Sequence, residues 1–215
     1  MKIKILILTL LLGNNLQAQQ NQYQPTSADL DSIYNRVEKA QIEKFLSTKP
    51  VLVDISEGTR DSIFLTLINN YRLSMGLNKL TYVNVLNSAC ELHTNWMLQE
   101  QKVGHDETSN NIDGKQYRTF TDRIAKFDPN WLSNHTILFE NCGAAKSSIG
   151  NDPTIQFKRI TQESVYEIFN GWKASPGHNA AMLDKHIKYL GFYLGSKFNK
   201  KQNNYMVFGT LLVSN

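Results

Sequence analysis

Residues 189–213 read YLGFYLGSKFNKKQNNYMVFGTLLV. Two runs, 189–198 and 205–213, are dense in Tyr, Phe, Val, Leu and Gly, and the polar NKKQNN separates them, so the stretch predicts a β-hairpin. The chain upstream has a different period. In RDSIFLTLINNYRLSMG (60–76), Ile63, Phe64, Leu67, Ile68 and Tyr71 fall on one helical stripe, and Gly76 is placed to end that helix. A second amphipathic helix is expected over 84–103, with Leu86, Ala89, Cys90, His93 and Met97 on one side, ending at Gly104-His105. A polar loop (106–118), a short helix (121–127), a loop opened by Pro129 and a β-prone run (136–142) follow. Val165, Ile168, Phe169 and Trp172 mark a third helix over 163–172. Ser175-Pro176-Gly177 breaks it, and His178 begins a helical turn through Leu183. Helices followed by a mostly antiparallel sheet predict an α+β fold.

Outward from this block, the length of 215 residues suits one ordinary domain with a small attachment. With 41% hydrophobic residues the chain has the material for a packed core, which excludes a wholly disordered protein. At the N-terminus, Lys2 and Lys4 precede an apolar run, 5–12, too short to span a bilayer, and Leu16-Gln17-Ala18 offers a cleavage site. Residues 1–18 are therefore expected to be a signal peptide cleaved near Ala18, giving a secreted protein, extracellular or periplasmic, with no transmembrane segment in the mature chain. Residues 19–55 are expected to form a polar leader and a short N-terminal helix, in which Leu30, Ile33, Tyr34 and Val37 recur at helical spacing, and residues 56–215 the main domain. Loss of the two leader lysines lowers the formal charge from +4 to +2. No five-residue basic block appears, so no nucleic-acid partner is expected. Two cysteines, Cys90 and Cys142, exclude a disulfide-stapled miniature fold and a four-cysteine zinc site. Whether the two are bonded is left open by the sequence.

No HExxH, CxxC, phosphate-binding glycine loop or GxSxG elbow is present. Polar residues at element boundaries are what remain: His105 after a helix, Glu140 at a strand end, His178 after the Ser-Pro-Gly break. These residues also carry a resemblance. LINNYRLSMGLNKL, LNSACELHTNWM, the Gly-His at 104–105, the Glu-Asn at 140–141, WKASPGHNAAML at 172–183 and the closing YLGFYLG and YMVFGTLLV occur in the order of the CAP superfamily. That superfamily comprises the cysteine-rich secretory, antigen 5 and pathogenesis-related 1 proteins, and this chain resembles its bacterial form. The resemblance implies a three-layer α-β-α sandwich with a mostly antiparallel central sheet and a cleft holding two His and two acids. It carries over His105, Glu140 and His178. The second acid, expected three residues after Trp172, is here Ser175.

Two neutral imidazoles with open positions suit a divalent metal such as zinc, which makes His105 and His178 the expected metal ligands, with Glu140 beside them. The missing second acid favours a noncatalytic module that binds an extracellular ligand or protein partner. The alternative is a metal- or histidine-dependent hydrolase, protease or esterase, with His105, Glu140 and His178 as the catalytic candidates. Lipid or sterol binding is a third class implied by the resemblance.

Overall fold

The computed structural model describes residues 55–146, 160–199 and 204–215. The expected signal peptide and the helix over 29–49 lie outside them. Helix α1 spans Glu57–Ser74, strand β1 Thr81–Tyr82, α2 Asn84–Glu100, α3 Phe120–Phe127 and the single turn α4 Trp131–Asn134. Strand β2 (Leu138–Lys146), α5 (Gln162–Ala174), α6 (Pro176–Leu183), β3 (Tyr189–Asn199) and β4 (Asn204–Ser214) complete the order.

The expected hairpin forms: β3 and β4 pair antiparallel from Tyr189 opposite Ser214 to Asn199 opposite Asn204. β2 adds to the far side of β4, also antiparallel, and β1 adds to β3 in parallel, giving the order β1-β3-β4-β2. The sheet is thus mixed. The parallel strand has only two residues, too few to show an alternating pattern in sequence.

Period-two alternation divides the core between the two faces of the sheet. Leu190, Phe192 and Leu194 of β3, with Val207, Leu211 and Val213 of β4, face a cluster built by α1, α5 and α6 through Phe64, Ile68, Ile168, Phe169, Trp172 and Met182. Phe64 stacks on Phe192 with centroids 3.7 Å apart, and Trp172 meets Phe64 edge-on at 5.7 Å. On the other face, Tyr193 and Leu212 pack under Leu86, Ala89 and Cys90 of α2 and Ile124 of α3. Farther along, Cys142 and Phe208 meet Trp96, Met97 and Leu98. The result is the α-β-α sandwich.

Two local signals set helix boundaries. Gly76, at φ 73°, lets its N–H reach the Leu73 carbonyl (3.0 Å) while the Leu77 N–H reaches that of Arg72 (2.9 Å), a Schellman closure of α1. Helix α2 stops at Glu100, earlier than its apolar pattern suggests, because Gln101 turns left-handed at φ 56°. Gly191 sets how closely α2 can approach. A Cβ there would lie 2.2 Å from the backbone of Leu86 and Asn87. The missing side chain lets the start of α2 lie directly on β3, where the Cys90 thiol donates to the Gly191 carbonyl at 3.3 Å.

Candidate functional site

On β2, Glu140 and Cys142 point to the α2 side of the sheet and Asn141 to the other, as alternation requires. Glu140 is buried and both its oxygens are engaged: Oε1 lies 3.1 Å from His105 Nδ1, and Oε2 accepts from Arg123 Nη2 at 2.5 Å. The same Nη2 donates to the His105 carbonyl at 3.2 Å, while Nη1 donates to that of Tyr117, also at 3.2 Å. Arg123 therefore holds both the carboxylate and the loop that carries His105.

Behind this pair sits a second buried one. His93 on α2 lies with Nδ1 3.1 Å from Glu107 Oε1 and Nε2 2.8 Å from the Gly104 carbonyl, and its ring stacks parallel to Trp96 at 5.5 Å. Glu107 also accepts from the Asn111 amide at 3.0 and 3.1 Å and lies 3.6 Å from Arg123 Nη1. His93 Nε2 stands 4.0 Å from Glu140 Oε1, which closes a ring of interior groups: His93, Glu107, Arg123 and Glu140. One ligand atom from each of His93, Glu140 and Cys142 lies within 4.8 Å of the others, a buried group that could hold a metal.

The electrostatics follow from these contacts. Burial alone raises the Glu140 carboxyl, but the His105 hydrogen bond and the charges of Arg123 and His93 outweigh it and hold the group below its usual value. The Glu140 hydrogen bond raises His105 against the opposing effect of burial. His178 is lowered, first by burial and then by His105, so the two imidazoles sense each other. The Cys90 and Cys142 thiols are both free and both pushed well up, chiefly by burial.

Of the three residues expected from sequence, His105 and Glu140 are in direct contact. His178, near the start of α6, is tied to the same strand through its backbone, its carbonyl accepting from Asn141 Nδ2 at 3.0 Å. Ser175 is the residue shared by the end of α5 and the start of α6, and its hydroxyl makes no capping bond. Sequence reasoning placed His93 on the apolar side of α2 with no role in the site and missed Arg123 and Glu107. His93 is fully buried, yet both ring nitrogens have polar partners. Arg123 did leave a signal. Thr119 and Asp122 form a capping box that fixes the start of α3, and Arg123 then falls on the stripe of Phe120, Ile124 and Phe127, an arginine among apolar positions.

The model of the cysteine-rich secretory protein family matches residues 65–209, more than half of the chain and all of the residues just described. The chain belongs to the cysteine-rich secretory protein, or CAP, family. A comparison with curated proteins finds no matching sequence. Among solved structures, this CAP chain is similar to an outer surface protein from Borrelia burgdorferi, at 17% identity and a TM-score of 0.51 over 77% of this chain and 98% of that one. It is also similar to an extracellular protein containing a SCP domain from Bacillus anthracis (16%, TM-score 0.46, 72% of this chain and 40% of that one). The CAP domain of enterococcal PrgA matches at 11% and 0.43, over 91% and 81%. At 17% identity the likeness to the Borrelia protein speaks to the fold alone. No helix among the described residues is long and apolar enough to cross a membrane.

The donor chemistry of the CAP cleft suits a metal. His105 turns Nδ1 to a carboxylate, which leaves Nε2 as the ligating nitrogen, the arrangement that orients histidines around metals. Burial and the neighbouring imidazole favour the neutral, ligating form of His178. The donor set fits a borderline ion such as zinc and offers little to calcium.

Proposed function

We propose that this chain is an exported CAP module that binds a ligand or protein partner at the His105–Glu140–His178 cleft without turning it over. A divalent metal such as zinc, held by His105 and His178, serves binding or stability there. The state of Glu140 carries this reading. A general base needs a carboxylate oxygen within reach of a substrate proton, and here one oxygen is committed to His105 and the other to Arg123. Its depressed affinity for protons makes it a poorer base still. Ser175 stands where a second acid would be needed, so Glu140 orients His105 and supplies charge.

When bound, the ion would provide a Lewis-acidic point for an anionic or carbonyl group of the partner. The chain's own residues do the rest. Glu140 fixes the His105 ring, Arg123 fixes Glu140 and the His105 backbone, and Asn141 fixes the start of α6. Zinc titration of the purified mature protein at about pH 7.5 should show a site that vanishes in His178→Ala and weakens less in Glu140→Gln, falling away as protons compete below about pH 6.5. Zinc uptake unchanged by His178→Ala would remove the metal from the cleft. Hydrolysis of peptide or ester substrates that depends on His178 would replace this reading with the hydrolase. Lipid recovered by extraction from the purified protein would point to the third class.

A further inference from the structure

We propose that His93, Glu140 and Cys142 form a second, interior site for a thiophilic transition metal, zinc(II) in the cell and cobalt(II) as its spectroscopic substitute. This site does not depend on the cleft reading, since neither His105 nor His178 is needed as a ligand. Each of the three side chains offers a donor atom within 4.8 Å of the other two, and all three residues are buried. A tetrahedral ion with bonds of about 2.0 Å to N and O and about 2.3 Å to S sets its ligands roughly 3.3–3.7 Å apart. His93 Nε2 and Glu140 Oε1, at 4.0 Å, are close to that spacing before any ion draws them in. A water can fill the fourth position.

Outer partners for both harder ligands are already in place. His93 presents Nδ1 to Glu107, itself held by Asn111, in the carboxylate–histidine arrangement that aims Nε2 at a metal. Arg123 takes Oε2 of Glu140, and Oε1, which meets His105 Nδ1 at 3.1 Å, keeps a second lone pair on the side of His93.

Hydrogen-bond accounting adds an independent argument. Both nitrogens of His93 face acceptors, the Glu107 carboxylate and the Gly104 carbonyl at 2.8 Å. A neutral imidazole carries one N–H, so the second nitrogen needs a positive partner of its own. In the metal-free protein Nε2 faces the Gly104 carbonyl. A metal serves once Nε2 turns from Gly104 toward Glu140. The charges then balance: the Cys142 thiolate and Glu140 neutralise the ion, and Arg123 offsets Glu107. Uptake displaces the proton of the Cys142 thiol. Thiolate donation selects zinc over magnesium or calcium.

The test is cobalt(II) titration of the purified full chain after dialysis against chelator. A thiolate-to-cobalt charge-transfer band should saturate at about one equivalent, disappear in Cys142→Ser and persist in Cys90→Ala and His178→Ala. Glu107→Gln should keep the band and weaken the affinity about 10–100-fold, as expected when an outer partner is lost. Should Cys142→Ser not fold, proton release on zinc binding to the natural protein replaces it, with at least about one proton, that of the thiol, expected per interior ion. The proposal is overturned by cobalt binding without a thiolate band, by a band that survives Cys142→Ser, by loss of all metal in His178→Ala, or by zinc uptake without proton release. Metal lost from the cleft alone in His178→Ala supports both sites, and a band with no His178-dependent metal sinks the cleft site and spares this one.

Discussion

Replacing Arg123 with Met tests whether the buried charges, more than the packing around them, hold the His105 loop. Arg123 is completely buried and donates to Glu140, to the His105 carbonyl and to the Tyr117 carbonyl, with Glu107 3.6 Å away. Methionine fills much of the same volume but removes the charge and all three donors. Glu140 and Glu107 would then share a low-dielectric interior without the guanidinium between them. Breaking a buried pair from one side costs about 3–5 kcal/mol, well above the roughly 1 kcal/mol expected from an imperfect fit of Met alone. In a domain of this size about 2–4 °C of melting temperature accompanies each kcal/mol, so a drop of roughly 6–20 °C is expected. Urea unfolding followed by the fluorescence of buried Trp96 and Trp172 measures the loss directly.

Two further features separate charge from packing in this variant. In the natural protein the folded value of Glu140 lies below its unfolded value. It therefore contributes stability above the unfolded value of about 4.3 that is lost as pH falls through the depressed one. In Arg123→Met the folded value should rise above the unfolded one, reversing the sign, so the cost should shrink between about pH 7.5 and pH 5. Second, Glu140→Gln in the Arg123→Met background should recover at least about 1.5 kcal/mol of the loss, a coupling typical of contacting charges. A loss below about 1 kcal/mol, or one that is equal at both pH values, would refute the charge argument.

Gly191→Ala should destabilise the domain by about 3 kcal/mol or more in urea unfolding, since the new methyl meets the α2 backbone at 2.2 Å and neither element is free to yield. A change under about 1 kcal/mol would show that the α2–β3 approach relaxes easily. Thr119→Ala removes the hydroxyl that accepts from the Asp122 N–H and should cost about 1 kcal/mol, read from the same unfolding curves; no change would mean the capping box does not set the start of α3. We further propose that a chain beginning at Ser56 retains a cooperative melt, because the family match begins only at residue 65. Insolubility of that shortened chain would place the preceding residues in the core.

The fold was legible where burial imposes a period. The 60–76 stripe, the α2 face from Leu86 to Met97 and the two hairpin runs each place apolar residues at the spacing their element requires, and each forms. Pattern failed where something other than a repeating apolar face decides. β1 is two residues held by a parallel partner more than a hundred positions away, and the turn α4 follows Pro129 with no fully buried side chain of its own. The site divides along the same line. His105, Glu140 and His178 were found through motif resemblance, although Glu140, expected at a strand end, lies inside β2 because that strand runs on to Lys146, whereas Glu107 sits in a polar loop whose sequence gives no hint that its carboxylate is interior.

That hidden interior explains why the loop after α2 can carry a fixed histidine at all. Residues 101–118 contain no regular element, and a loop of that kind would ordinarily leave a side chain such as His105 free to sample many orientations. Here side chains from two helices grip consecutive carbonyls. His93 of α2 takes Gly104 and Arg123 of α3 takes His105, while Glu107, from within the loop, reaches back to both. Glu140 then joins the assembly to the sheet. Each charge is satisfied by groups on a different element, so none can be displaced without leaving a buried partner unpaired, at several kcal/mol. The loop is ordered by electrostatics where it lacks backbone pairing. A site histidine held in this way keeps one ring nitrogen committed to the protein and the other available to a ligand.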